Sequence, residues 1–346
     1  MGDGSQIRFL PVGDRRVAYA VDGDGPLLVA PAWWISHLEL DWSDAAFRSL
    51  WTSVGEGCSL LRYDRLGVGM SDREVRDEDL TLDGEVALLR AVLDEVERDK
   101  VVLVGGSSGG CAAIAFAARF PERVERLVLY GAYAKGSSIT SPEVKEAIVG
   151  TVRSHWGLGS RLLADIFLGD TNSVEQERLA RYQRAAASPE TAAALLEVVY
   201  RNDVHTELQE VRAPTLVVHR RGDRAIPYAC GRDLAATIPG ATLIPLEGSA
   251  HFPWAGDWHS VARAMRPGAE STPTAARAGE PPAVLLSGRE REVLALVARG
   301  LTDPEIAEHL ILSQHTVHRH VANIRHKLGQ GSRAAAVAEA ARLGLL

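Results

Sequence analysis

Residues 101–110 read "VVLVGGSSGG", and no other stretch limits the fold as sharply. The aliphatic run Val101 to Val104 is a buried strand in pattern. The glycines after it permit a tight turn and close approach of neighbouring backbone. Beyond them, "CAAIAFAARFPERV" has the composition of a helix packed in a core. A strand that turns directly into a helix is the unit of a parallel sheet with crossover helices. Further runs repeat the theme: "GPLLVAP", "CSLLRYD", "VERLVLYG", "APTLVVH" and "ATLIPLEG" read as buried strands, and "DGEVALLRAVLDEVERD" as an amphipathic helix. The fold class is therefore α/β, a doubly wound, mostly parallel sheet. The stretch from 131 to 210 breaks the rhythm; it is Ala-, Leu- and Arg-rich and helical in pattern, and reads as an inserted lid.

With 346 residues the chain has room for a large domain and a small one. The boundary is "RPGAESTPTAARAGEPPAV", which cannot bury enough apolar surface to offset its ordering entropy. A flexible linker is expected over 267–284, between a domain at 1–266 and a second at 285–346. The N-terminus has no basic start followed by an apolar run, and no apolar stretch reaches membrane-spanning length. The three cysteines are far apart and match no metal spacing, which suits a reducing compartment. A cytoplasmic protein with no membrane partner, cofactor or metal is expected. The net charge of −7 argues against a nucleic-acid coat, but its distribution is uneven. From Leu286 onward eight Arg/Lys face six Asp/Glu, a net of +2 that leaves −9 on the rest.

Each serine of "GGSSGG" can centre a Gly-x-Ser-x-Gly motif. A nucleophile elbow needs a strand, a strained turn and a helix beginning at once. With Ser107 central, Gly105 and Gly109 flank it and the strand ends just before the motif; with Ser108 central, the serine moves into the helix. Ser107 is the better candidate, and Ser108 then offers a backbone N–H to an oxyanion hole. A glycine-rich turn without chemistry is the plain alternative. The partners argue against it. Asp223 follows the strand in "APTLVVHRRGDRAIP", and His251 follows the strand in "ATLIPLEGSAHFPWAGD". Ser, Asp, His in that order at strand ends is the order of α/β-hydrolases.

Residues from about Ile7 to Met265 resemble an α/β-hydrolase domain with a helical lid. "YDRLGVGMSD" (Tyr63 to Asp72) is similar to that family's Tyr-Asp-x-Arg-Gly-x-Gly-x-Ser turn, with Leu66 at the usual Arg position. The resemblance implies Ser107 as nucleophile, His251 as general base and then acid, and Asp223 as the residue that orients the imidazole. It also implies a second oxyanion N–H from Trp33. Here Pro31-Ala32 stands where the family usually has His-Gly, which predicts weak turnover. Trp33 and Trp34 divide evenly between core and pocket lining as expectations.

Near the other end, "SGRE" (Ser287 to Glu290), "TDPE" (Thr302 to Glu305) and Ser313 mark helix starts, the first two as capping boxes. Between the second and third helices, "LILS" is a short turn, as in a helix-turn-helix. On the third, Val317, Val321, Ile324 and Leu328 form one apolar stripe. The opposite face carries His315, Arg319, Ala322 and His326, flanked by His318 and Asn323, and it has no acid. Such a face suits a major groove. Leu286 to Leu346 resembles the LuxR-type helix-turn-helix through "REREVLALVARGLTDPEIAEHL", "S-x-x-TV-x-x-H" and "KLG-x-x-SR", with His318 where that family commonly has Lys or Arg. The expected DNA contacts are His315, Thr316, His318, Arg319, Ala322, Asn323, Lys327 and Arg333. Arg319 reads as the base contact; Arg325, Lys327 and Arg333 read as phosphate contacts. The histidines 315, 318 and 320 read as helix surface rather than as a metal site.

The expected function is a DNA-binding transcriptional regulator whose hydrolase-fold domain senses a small molecule and retains some serine-esterase character. Its expected partners are an operator in double-stranded DNA, a ligand or acyl substrate, and a second copy of the chain through the Ala-rich last helix; RNA polymerase stands open as a further partner. The competing reading is a serine hydrolase whose helix-turn-helix only localises or regulates it.

Overall fold

The computed structural model describes residues 6–169, 171–266, 288–310, 312–328, 330 and 332–342. The expected linker at 267–284, Ser287, the glycines 329 and 331, and the side chains of His315, His326 and Lys327 lie outside that description. The chain divides into two compact units, Met1–Ser271 and Thr272–Leu346.

In the first unit eight strands form one sheet: β1 (Ile7–Val12), β2 (Arg15–Asp22), β3 (Leu27–Ala30), β4 (Ser59–Tyr63), β5 (Val101–Gly106), β6 (Val124–Tyr130), β7 (Thr215–Arg220) and β8 (Thr242–Leu246). Their spatial order is β1-β2-β4-β3-β5-β6-β7-β8. The contacts of β2 with β1 and β4 are antiparallel and the others parallel. The six runs read as strands from the sequence all lie in the parallel part. The β1–β2 hairpin was not among them; it turns at Gly13, whose φ of +63° supplies the left-handed residue a tight turn needs. Strands β3, β4, β5 and β7 are buried throughout, which is why they read as unbroken apolar runs rather than alternating ones.

The helices of this unit are α1 (Leu38–Ser43), α2 (Ala45–Val54), α3 (Leu82–Glu95), α4 (Gly109–Arg119), α5 (Pro142–Ser154), α6 (Trp156–Leu168), α7 (Ser173–Ala186), α8 (Pro189–Arg201), α9 (Tyr228–Thr237) and α10 (Trp258–Met265). Helices α5 to α8 fall between β6 and β7, inside the stretch expected to form a lid. The chain steps from β3 outward to β4 and back across to β5. The switch point, where an α/β sheet opens a crevice, is thus at the carboxyl ends of β3 and β5.

The second unit holds α11 (Gly288–Ala298), α12 (Asp303–Leu310), α13 (Gln314–Lys327) and α14 (Arg333–Arg342). Its core gathers Val293, Leu294, Ile306, Val317, Ile324, Leu328, Ala336 and Ala340. Among the described residues no helix is long and apolar enough to cross a membrane.

Candidate active site and recognition helix

Strand β5 ends at Gly106 and α4 begins at Gly109, so Ser107 sits on the turn between them. Its φ is +51°, a conformation that L-residues avoid at a cost of about 1–3 kcal/mol. Surrounding bonds hold it there: its N–H donates to the Tyr130 carbonyl at 3.0 Å, and its carbonyl accepts from Gly110 at 3.1 Å. Ser108 has ordinary helical angles and precedes the first residue of α4 without a side-chain capping bond. The strained residue of this elbow is Ser107. Its two flanking glycines are sterically required, since a Cβ at Gly105 would stand 2.8 Å from the Ala113 Cβ and one at Gly109 would stand 2.9 Å from the Ala32 oxygen.

The other two members come from loops after β7 and β8. Asp223 Oδ1 accepts N–H bonds from Ala225 (2.9 Å) and Ile226 (3.0 Å), and Oδ2 accepts from His251 Nδ1 at 2.8 Å. The His251 N–H donates to the Phe167 carbonyl at the end of α6, 2.7 Å away. With Nδ1 donating, Nε2 presents its lone pair, and that buried atom has no partner. Burial disfavours the Asp223 carboxylate, but the charge attraction and hydrogen bond of His251, helped by the Ile226 N–H, hold its pKa below the ordinary value. Beneath it lies a buried residue that sequence reasoning missed. The His219 Nε2 donates to the Ile226 carbonyl at 3.0 Å and stands 3.7 Å from Asp223 Oδ2. Burial lowers its pKa against the pull of Asp223, so it is neutral and adds no charge to the pair. Ser107 and His251 open together onto a cavity of about 150 Å³ lined by Trp34, Ile148, Phe167, Leu196 and Arg224 among others. A hydroxyl on a strained turn, a basic nitrogen without a partner and a carboxylate behind it can perform acyl transfer.

The loop after β3, expected to supply the second oxyanion N–H, packs against the start of α4. The Ala32 and Pro31 carbonyls lie against Gly109 there, so the Ala32–Trp33 peptide packs one residue past Ser108. Buried Arg65 donates from Nη2 to the Ala32 carbonyl at 2.8 Å and is held from behind by Glu85. That carbonyl and the Trp33 N–H share one planar trans peptide and point in opposite directions. Anchoring the carbonyl therefore aims the N–H. Asp64 braces the same loop, accepting from the Ser36 hydroxyl (2.6 Å), Leu38 N–H (3.0 Å) and Met70 N–H (2.8 Å). A Cβ at Gly69 would stand 2.1 Å from that carboxylate, which explains the glycine in the "YDRLGVGMSD" turn. The two tryptophans separate. The Trp33 ring fills the space over Gly106 and packs on Tyr130, His251, Phe252 and Trp254. Trp34 lines the Ser107 cavity.

In the second unit the apolar stripe of α13 faces inward: Val317, Ile324 and Leu328 are buried and Val321 half-buried. On the outer side His318, Arg319, Ala322 and Asn323 are exposed, and Thr316 is half-buried. Neither the Arg319 nor the Asn323 side chain has a hydrogen bond or ion pair among the described residues. His318 Nδ1 lies 3.5 Å from Asp303 Oδ2. Arg333 is engaged inside the unit, its guanidinium on Asp303 and the Leu301 carbonyl, so it ties α14 to the start of α12. That tie gives it a structural task which the sequence did not announce. The Ser313 hydroxyl caps α13, accepting the Thr316 N–H at 3.1 Å. At α12 the Glu305 carboxylate takes the Thr302 N–H at 2.7 Å.

Comparison with known proteins agrees with both halves. Residues 45–254 match the family described as serine aminopeptidase, S33, and residues 284–340 match the bacterial regulatory proteins of the luxR family. A 2-hydroxy-6-oxononadienedioate/2-hydroxy-6-oxononatrienedioate hydrolase of Cupriavidus pinatubonensis is 32% identical over 60% of this chain and 74% of its own. A 2-hydroxy-6-oxo-2,4-heptadienoate hydrolase of Pseudomonas putida is 29% identical over 70% of this chain and 85% of its own. The solved hydrolase from Pseudomonas aeruginosa PA01 shares the fold with a TM-score of 0.64 at 23% identity, over 75% of this chain and 96% of its own. The chain belongs to the serine aminopeptidase S33 family of α/β-hydrolase-fold proteins and carries a DNA-binding domain of the LuxR family of bacterial regulators.

Proposed function

We propose that this regulator takes a small carbonyl compound into the Ser107 cavity and converts its presence into a change in operator binding. The observation that supports this most is the buried set of Ser107, His251 and Asp223, with His251 held by Asp223 and its Nε2 left free among the described residues, opening on a small and largely apolar cavity in a chain that also carries a helix-turn-helix. Such pockets bind ligands through apolar contact and a few fixed polar groups. The names of the relatives describe hydrolases of unsaturated oxo acids, and Arg224 at the cavity wall, paired at 3.0 Å with Asp165, stands where it could exchange that partner for a ligand carboxylate. Unsaturated keto acids are therefore the first ligand class to test.

In turnover, Ser107 Oγ attacks the carbonyl carbon while His251 Nε2 takes its proton. The oxyanion is received by the N–H groups of Trp33 and Ser108. Collapse breaks the bond to the leaving group, which takes the proton from His251, and water repeats the cycle to free the serine. Ala32 in place of glycine and the bulk of Trp33 slow this step. A sensor tolerates slow turnover, because binding a ground state needs no stabilised oxyanion.

On DNA, Arg319 contacts a base, with Thr316, His318, Ala322 and Asn323 around it; Lys327 and His315 belong to the same assignment. Arg333 contributes only what its bond to Asp303 leaves. The active form is a dimer through α14, where Ala336 and Ala340 face their own core while Ala338 and Ala341 are exposed. It works in the cytoplasm at the nucleoid, with RNA polymerase as its partner at regulated promoters.

The test is to recover genomic fragments bound by the full-length protein, then titrate them with and without keto acids for wild type and Ser107→Ala. Ligand-dependent binding preserved in the mutant supports the sensor. Loss of hydrolysis and regulation together, with the product as effector, makes the pocket an enzyme first. Sedimentation showing one protomer per full operator removes the dimer.

A further inference from the structure

The first unit has a second cavity, larger than the one at Ser107. It measures about 720 Å³ and lies between the α1–α2 corner, lid helix α7 and the loop that follows His251. The two cavities share no lining residue. Its body is apolar: Phe47, Leu179, Phe252 and Trp254 face it, and the Phe252 and Trp254 rings stack at 4.7 Å with 12° between planes. A volume in this range suits an organic ligand of drug size.

Its polar groups include the arginines Arg178 and Arg181, the latter exposed, and the pair Asp41 and Tyr182. Arg178 is already paired with Asp44 and Glu175 at the rim, so these charges largely cancel. Asp41 and Tyr182 stand together on the wall of the cavity, and Asp41 accepts the His37 N–H at 3.2 Å. Both are enclosed by protein yet partly accessible, as groups on a cavity wall must be. Burial, reinforced by the nearby Asp64 charge, pushes the Asp41 carboxyl up to about 7. Near neutrality this pair therefore both donates and accepts hydrogen bonds. A second carboxylate beside Asp41 and Asp64 is repelled, while the neighbouring Arg62 guanidinium opposes an ammonium.

We propose that this cavity is a second small-molecule site, separate from the Ser107 pocket, for a neutral aromatic molecule bearing a phenolic hydroxyl or ring carbonyl. The aromatic body lies against Phe47, Phe252 and Trp254, and the oxygen meets Asp41 and Tyr182. An occupant touches Phe252, whose ring centroid is 6.0 Å from that of His251, so the site reaches the loop that holds the general base.

Equilibrium dialysis of the full chain with 2-naphthol, naphthalene and 2-naphthoate tests this. 2-Naphthol is expected to bind at least tenfold more tightly than 2-naphthoate. Tyr182→Phe removes one oxygen and should weaken 2-naphthol about fivefold, the range of one hydrogen bond, while leaving naphthalene unchanged. Ala185→Trp, at an exposed lining position, should abolish 2-naphthol binding with little change in melting temperature. Ile148→Trp, which fills the Ser107 cavity instead, should leave it intact. No saturable 2-naphthol binding, or binding lost in Ile148→Trp but kept in Ala185→Trp, overturns the proposal. Equal loss of 2-naphthol and naphthalene in Tyr182→Phe overturns the assigned head group. If Ala185→Trp does not fold, Tyr182→Phe decides alone.

Discussion

The Ser107 region and the outer face of α13 prepare their chemistry in opposite ways. Around Ser107 the supporting groups are buried and already committed, Asp223 to His251, the His251 backbone to Phe167, and the Ala32–Trp33 peptide to Arg65, while among the described residues His251 Nε2 is left without a partner. On α13 the face assigned to DNA is exposed, and among the described residues the Arg319 and Asn323 side chains have no hydrogen bond or ion pair to lose. The first arrangement holds atoms in place before a ligand arrives, which is what reacting groups need. The second leaves donors free to meet phosphates and base edges, and its precision comes from the helix rather than from side-chain networks. Substitutions should therefore act steeply in the first region and modestly in the second.

The largest effect is expected at the elbow. A fluorophosphonate probe should label the full-length protein at Ser107, labelling should vanish in Ser107→Ala, and Ser108→Ala should keep it. Label that follows Ser108 would break the comparison at its root, because the strained residue would then not be the reactive one.

Next comes Arg65, which tests whether commitment of the peptide matters. Arg65→Met frees the Ala32 carbonyl and leaves the Trp33 N–H unaimed; losing one oxyanion donor costs about 10²–10³ in rate, so labelling should slow by about tenfold to a hundredfold. It also strands Glu85 as a buried charge, at roughly 3–5 kcal/mol. Arg65→Met with Glu85→Leu separates the two. The melting temperature should recover while labelling remains slow. Recovery of both would show that Arg65 only stabilises the fold.

How much of this was legible in the sequence follows the same division. The parallel strands, the elbow and the order Ser107, Asp223, His251 are local signals: an apolar run, glycines at fixed offsets, a polar residue just past a strand. The inward stripe of α13 is local as well, since helical period decides it. Arg65, Arg220 and His219 were not legible. A charged residue in a sequence reads as surface, yet the buried Arg220 guanidinium gathers the carbonyls of Ala250, Phe252 and Ala255 and so fastens the His251 loop. Only the three-dimensional meeting of those loops makes that burial favourable. Hairpin β1–β2 had a usable signal, the Gly13-Asp14 turn between alternating residues, which differs from the unbroken apolar runs of the buried parallel strands. The 720 Å³ cavity had none, because its walls come from three separated segments.

On the exposed side the expected effects shrink. Arg319→Ala should weaken operator binding by about 1–3 kcal/mol and relax preference at one base pair, as loss of a guanine contact does. Gel-shift titration against operator variants reads both quantities. A uniform loss across all sequences would move Arg319 to the phosphate class, and no change would remove it from the interface.

The smallest effect is expected at Ser313, and it tests whether the helix itself carries the precision of that face. The Ser313 hydroxyl satisfies the Thr316 N–H, one of the donors that a helix start leaves open, and also meets the Thr316 hydroxyl at 2.8 Å. Ser313→Ala should cost about 1 kcal/mol of helix stability, the usual loss of such a cap. Hydrogen exchange at the first turn of α13 should quicken by about fivefold, with α11 and α14 little changed. Affinity should fall slightly and evenly, because fraying costs every operator the same ordering energy while Arg319 stays in register. A shift in base preference instead would mean that Ser313 or Thr316 touches DNA directly, and the cap would then be part of the reading face.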